Sequence, residues 1–300
     1  MSHVATLLTN PKSPALDTVL VENLRSAWGG GATRWLAPGE AAEFVLPAPP
    51  GNFRAIWQEL QELGVDLNVQ SAEGRRKALL IADMDSTMIQ QECIDELADE
   101  AGVGARVAEI TARAMNGELD FEGALKERVG LLKGLNSAVI DTVLSKRITL
   151  MPGAGALLAT MKAHGAHAVL VSGGFTVFAG RVAAQLGFDE YRANVLLVQD
   201  GHLTGKVAMP ILGRDAKVRT LQETTARLGI TPEQAVAVGD GANDLGMLQM
   251  AGMGVALHAK PAVAAQCDLR INHGDLSALL YLQGYRREEF ADQAGKPAAG

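Results

Sequence analysis

Two short aspartate-bearing segments carry residue types suited to chemistry: Asp83-Met84-Asp85-Ser86-Thr87 and Gly239-Asp240-Gly241-Ala242-Asn243-Asp244. Each follows a continuous apolar run, Ala78–Ala82 for the first and Ala235–Val238 for the second. A third run, His167–Val171, leads into Ser172-Gly173-Gly174-Phe175. Ligands of open α/β sheets gather outside the carboxyl ends of the strands, so Asp83, Asp85, Asp240 and Asp244 are expected on one rim. Four carboxylates gathered there would repel one another, and a divalent cation relieves that repulsion. Hard oxygen donors suit Mg2+, which keeps several waters and binds through one or two carboxylates plus a substrate phosphate. A single Asp-x-Asp is weak, because paired aspartates also cap helices and form turns. Its recurrence with Gly-Asp-Gly-x-Asn-Asp behind a second strand favours catalysis.

The elements that must position these residues follow from hydrophobic patterning. The three runs are apolar throughout rather than alternating, as parallel strands covered on both faces by helices are. Each is followed by a helix-compatible stretch, giving the βαβ rhythm of a doubly wound sheet, with Met253–Leu257 and Leu269–Ile271 as further candidate strands. Roughly 85 residues of helical periodicity separate the first two runs, more than one crossover needs. They include Ile94–Ala101, Val107–Met115 and Phe121–Leu132, and are read as a helical cap inserted at about 92–150. Asn194–Val198 and His202–Val207, flanking Asp200-Gly201, are expected to form a hairpin. Residues 1–77 form a small α+β unit, with strands at Val4–Leu8, Glu43–Leu46 and Val65–Val69 and helices at Leu16–Trp28 and Phe53–Leu63. The polar stretch Ser71–Lys77 marks its boundary. The expected fold is thus α/β: a Rossmann-like doubly wound parallel sheet over residues 78–290, an inserted helical cap, a small N-terminal α+β domain and a disordered tail at 291–300.

Composition narrows the partners. The 34 acidic residues against 27 basic ones give a net charge of −7. With no dense Lys/Arg run, the surface expected of a nucleic-acid binder is missing. No apolar stretch approaches the roughly 20 residues needed to cross a bilayer. The start of the chain lacks the basic patch and apolar core of a secretory signal. Only Cys93 and Cys267 occur, too few for a disulfide framework and in no Cys-x-x-Cys spacing, so a cytoplasmic location is expected. The 6 histidines are scattered and point to no zinc site.

Asp83-Met84-Asp85-Ser86-Thr87 resembles the Asp-x-Asp-x-Thr signature of the haloacid dehalogenase superfamily, whose phosphotransferases use the first Asp as nucleophile. Ser172 resembles the second motif of that superfamily, Lys217 the third and Gly239–Asp244 the fourth, in the right order and with a cap insertion in the expected place. Further segments are similar to the phosphoserine phosphatase family: Gln91-Glu92, Ala114–Phe121, Arg128-Val129, Leu131–Gly134, Met151-Pro152-Gly153, Ser172–Phe175 and Ala216-Lys217. The likeness covers about residues 78–285 and leaves residues 1–77 without a motif; in outline they resemble the amino-acid-sensing or dimerising domains that precede the catalytic unit in some relatives, so a homodimer is one open role for them.

The resemblance implies hydrolysis of O-phospho-L-serine to L-serine and phosphate, the last step of L-serine biosynthesis. Asp83 would attack phosphorus and carry the phosphoryl group. Asp85 would protonate the departing serine oxygen and then take a proton from water, which requires a protonated Asp85 in the first step. Mg2+ would be held by the side chains of Asp83 and Asp240 and the backbone carbonyl of Asp85, with Asp244 orienting neighbours such as Lys217. Ser172, the Gly173 N–H and Lys217 would stabilise phosphoryl oxygens, and Asn243 would contact substrate. Glu92 and Arg128 would receive the ammonium and carboxylate of the substrate, and Met115 and Phe121 would shape the pocket wall. Two alternatives remain: a phosphatase or phosphotransferase of the same fold acting on another small phosphomonoester, and a binding protein that keeps the fold without turnover.

Overall fold

The computed structural model describes residues 2–115 and 118–291, without the side chains of Ala114 and Met115. Part of the Ala114–Phe121 segment and nearly all of the expected tail therefore lie outside the described residues. Ala291 is described and buried, its N–H donated to Thr160 Oγ1 at 2.9 Å.

In chain order the elements begin with β1 (His3–Leu8), α1 (Thr18–Ala27), β2 (Arg34–Ala37), β3 (Ala41–Leu46), α2 (Phe53–Glu62) and β4 (Asp66–Ser71). Next come β5 (Leu79–Ala82), α3 (Cys93–Glu100), α4 (Gly104–Met115), α5 (Phe121–Gly130), α6 (Val139–Lys146) and α7 (Ala154–Ala163). Then follow β6 (His167–Phe175), α8 (Thr176–Leu186), β7 (Glu190–Asn194), β8 (Leu196–Gln199), β9 (His202–Val207) and α9 (Arg214–Leu228). The chain closes with β10 (Ala235–Gly239), α10 (Leu245–Met250), β11 (Met253–Leu257), α11 (Pro261–Ala264), β12 (Leu269–Ile271) and α12 (Ala278–Leu282). A six-stranded sheet has the order β12-β11-β10-β5-β6-β7, and the pairs β6–β7, β10–β11 and β11–β12 are parallel. A four-stranded antiparallel sheet has the order β2-β3-β1-β4, and β8–β9 is a separate hairpin.

Contacts divide the chain into two compact units. The first comprises Met1–Ile81, Pro152–Ala168 and Leu221–Gly300. Here Ala5, Leu7, Phe44, Leu46 and Leu67 of the four-stranded sheet pack with Val21 and Leu24 of α1 and Leu60 of α2. Asp17 caps α1, accepting the Val19 N–H at 3.1 Å. β4 meets β12 through a side chain that imitates a strand: Asn68 Nδ2 donates to the Arg270 carbonyl at 3.0 Å and Oδ1 accepts the Arg270 N–H at 2.8 Å. Asp66, fully buried, accepts three successive backbone N–H groups, from Asn272, His273 and Gly274, at 2.9, 3.0 and 2.9 Å.

The second unit comprises Ala82–Met151 and Val169–Thr220. It holds α3 to α6 between two chain segments that run side by side. Ile89 and Leu150 form an antiparallel bridge, Gln90 N–H donates to the Thr149 carbonyl at 3.0 Å and Met151 N–H to the Met88 carbonyl at 2.9 Å. The insertion thus leaves and returns through one narrow stem. Asp120 caps α5 by accepting the Gly123 N–H at 2.6 Å.

Four features differ from the patterning, the first being β7, an unexpected edge strand with no apolar run to mark it. β2 was not foreseen: it is a four-residue strand, paired to β3 alone with a register shift between Trp35 and Ala37, too short for periodicity to register. Asn194 belongs to β7 rather than to the hairpin, which begins at Leu196, because its side chain is buried and engaged by backbone groups. β6 runs on to Phe175 instead of ending before Ser172, and its register with β7 shifts between Val171 and Phe175. That irregularity lets Ser172, Gly173 and Gly174 depart from regular pairing while remaining extended.

Candidate active site

The strand β5 is buried along its whole length, and the next residue is Asp83. Its side chain is 8% exposed and its Oδ1 lies 2.6 Å from Lys217 Nζ, itself 2% exposed. The same oxygen accepts the Met84 N–H at 2.8 Å. Lys217 stands in the first turns of α9, so the start of that helix fixes where its ammonium reaches. Burying an ammonium is costly without a carboxylate partner, and Asp83 supplies one.

Asp85 is held at both oxygens. Oδ1 accepts the Cys93 N–H at 2.8 Å, at the start of α3, and Oδ2 accepts the Ser172 hydroxyl at 3.0 Å. The Cys93 thiol is pushed far up by burial and then by the neighbouring Asp85, so it stays protonated and is no nucleophile. Ser172 Oγ in turn accepts the Gly174 N–H at 2.8 Å. A β-carbon at Gly174 would lie 2.7 Å from Asp85 Oδ2, so only glycine permits this approach. Phe121, the first residue of α5, lies over Gly173, where an added β-carbon would meet its ring at 3.0 Å.

Glu92 is exposed immediately before α3, and its Oε1 accepts the Ser86 hydroxyl at 2.7 Å. Ser86 adopts a left-handed backbone, φ 55°, a conformation that costs a non-glycine residue about 1–2 kcal/mol. Arg128, in the last turn of α5, donates Nε–H to the Ala124 carbonyl at 3.3 Å. Burial lowers its pKa, opposed by the charges of Asp95, Glu92 and Asp85. Arg128 is therefore a cation that feels three carboxylates at once. Asp95 was missed in the sequence. It is accessible to solvent yet hemmed in by enough protein that burial raises its pKa, with Arg128 pulling the other way. Its place in the first turn of α3, three residues after Glu92, was the available signal. The side chain of Met115 lies outside the described residues.

In the other unit, β10 is buried throughout and leads into Asp240, which is partly exposed. Asp244 is fully buried; its Oδ2 accepts the Gly241 N–H at 3.0 Å while its own N–H donates to the Gly241 carbonyl at 3.0 Å. Asn243 is partly exposed just before α10. The carboxylates of Asp83 in one unit and of Asp240 and Asp244 in the other are hard oxygen donors alone, a set that fits Mg2+ rather than a softer metal.

Residues 80–249 match the family model of haloacid dehalogenase-like hydrolases. This chain belongs to that family. Among the haloacid dehalogenase-like hydrolases it resembles, a phosphoserine phosphatase of Streptomyces coelicolor is 46% identical over 78% of this chain, which spans only 58% of that protein's length. A probable phosphoserine phosphatase of Schizosaccharomyces pombe is 41% identical over 90% of this chain and 92% of its own. Two solved structures, a substrate-bound phosphoserine phosphatase and a phospho-aspartyl intermediate analogue of phosphoserine phosphatase, each align with a TM-score of 0.64 at 41% identity. Each covers 69% of this chain and 98% of its own. Every residue singled out above lies within the span matched to the haloacid dehalogenase-like family, and residues 1–77 lie outside it.

Proposed function

We propose that this hydrolase converts O-phospho-L-serine and water into L-serine and inorganic phosphate, in the cytoplasm, as the closing step of serine formation. The observation that carries the reading is the near-dry pair of Asp83 and Lys217 at 2.6 Å beside an Asp85 oriented at both oxygens. The likeness to a substrate-bound phosphoserine phosphatase supports the choice of substrate.

Asp83 attacks phosphorus with one carboxylate oxygen, forming an acyl phosphate as the bond from phosphorus to the serine oxygen breaks. Asp85 gives its proton to that departing oxygen and later removes one from the water that splits the acyl phosphate. Phosphomonoesters hydrolyse so slowly unaided that positioning and charge neutralisation must supply most of the acceleration. Lys217, the Ser172 hydroxyl and the Gly173 N–H provide it from the protein side, and Asn243 contacts the same group. Asp83, Asp240 and the Asp85 carbonyl would hold Mg2+, with Asp244 nearby; the ion would supply further positive charge against the phosphate. Arg128 receives the substrate carboxylate and Glu92 its ammonium.

The test is phosphate release from a panel of phosphomonoesters, with and without added alcohols such as homoserine. O-phospho-L-serine should exceed O-phosphoethanolamine by about tenfold or more in kcat/KM, since only the former carries the carboxylate. A preference for another ester, or transfer to an alcohol instead of water, would overturn the substrate assignment.

A further inference from the structure

Asn194 ends β7, and its side chain is 2% exposed. Nothing in the proposed chemistry uses it, yet its carboxamide is fully occupied by two other segments. Nδ2 donates to the Gly173 carbonyl at 2.9 Å and to the Leu212 carbonyl at 3.1 Å, while Oδ1 accepts the Leu212 N–H at 2.7 Å. Gly173 belongs to the segment that presents Ser172, which binds Asp85. Leu212 lies two residues before α9, and α9 carries Lys217, which binds Asp83.

We infer that Asn194 is a positioning residue that sets the Ser172-Gly173 segment of β6 and the start of α9 in one fixed relation, so that the hydroxyl, N–H and ammonium proposed to hold a phosphoryl group act together. This rests on the function proposed above and adds a residue to it. The physical case is geometric. The register of β6 and β7 shifts between Val171 and Phe175, so regular strand pairing does not itself fix Ser172 and Gly173. The amide supplies what the ladder omits, matching both polar groups of Leu212 as a neighbouring strand would. Buried polar groups tied this way hold one geometry, because any displacement leaves them unpaired. Misplacement of catalytic groups by about 1 Å can cost on the order of a hundredfold in rate.

The test compares Asn194→Ala, which removes all three bonds, with Asn194→Asp, which keeps the shape but sets a carboxylate against two carbonyl oxygens. Asn68→Ala is the comparator, since Asn68 is as buried and also bonds to backbone, at Arg270. Both Asn194 variants should lose about 10- to 100-fold in kcat while the KM for O-phospho-L-serine stays within about threefold. Asn68→Ala should lower the melting temperature by a similar amount yet keep kcat within about twofold. A folded Asn194 variant with wild-type kcat, or an equal kcat loss in Asn68→Ala, would overturn the inference. Orthovanadate binding in the presence of Mg2+, measured by calorimetry, separates this from the function proposal. If the wild-type protein binds orthovanadate without turning over O-phospho-L-serine, the substrate reading fails. The Asn194 variants should still bind orthovanadate about tenfold more weakly, and unchanged binding would refute the positioning role.

Discussion

Asp83 shares Oδ1 between Lys217 Nζ and the Met84 N–H, and the pair is almost wholly removed from water. Asp83→Asn preserves the shape but removes the charge, and an amide is not a nucleophile toward phosphorus. Phosphate release should fall by at least about a thousandfold, checked by direct phosphate assay. The substitution also replaces the 2.6 Å ion pair of Lys217 with a neutral contact, so unfolding in urea should show a lower midpoint. The burial of Lys217, unexpected in a residue type that is usually exposed, is what links this substitution to stability. Arg128→Ala tests the other end of the substrate. Hydrolysis of O-phospho-L-serine should suffer about tenfold or more relative to O-phosphoethanolamine, and equal loss on both would remove Arg128 from carboxylate recognition. At this scale Asp83, Asp85, Ser172 and Lys217 were legible because each sits in a local motif beside a recognisable strand or helix. Asn194 and Asp95 were not, since the bonds of the first and the crowding of the second belong to no local motif.

Elements were legible in proportion to how uniformly they are buried. β5 and β10 lie inside the sheet and read as unbroken apolar runs, because helices cover both faces. β2, at a sheet edge with an exposed Arg34 and a register shift, offers no period to detect. β7 is illegible for a related reason: at an edge of the six-stranded sheet, with only its last two residues buried, it shows no apolar run, and Asn194 reads as part of the hairpin strand that follows. The loop after β12 makes a sharper case. Its three backbone N–H groups, at Asn272, His273 and Gly274, end on the buried carboxylate of Asp66, about two hundred positions earlier in the chain. Asp66→Ala should therefore destabilise the protein by about 3 kcal/mol, since charge-assisted bonds are the stronger class and three donors lose their acceptor together. A urea midpoint unchanged from wild type would show that the loop finds other acceptors.

For the whole molecule, residues 1–77 are held by bonds within their own unit. Asp66 and Asn68 tie β4 to β12 and to the loop after it. Gln70 Nε2 and Arg75 Nε both donate to the Leu282 carbonyl, at 2.8 and 2.9 Å, and Arg75 also reaches the Tyr281 carbonyl at 3.1 Å and Glu43 at 2.7 Å. The Tyr281 hydroxyl donates to Glu40 at 2.9 Å, and all five residues of α12 are buried. A separable module would be joined by few contacts and an exposed linker. Here the charged and polar side chains of the first segment satisfy the carbonyls at the end of α12. Deleting residues 1–76 should therefore strip partners from α12 and from the loop after β12 and expose apolar surface together. The shortened chain should be recovered largely as aggregate, or melt at least about 10 °C below the full chain, whatever its remaining activity. A soluble truncated protein with the melting temperature and turnover of the full chain would instead show that residues 1–76 are an independent attachment.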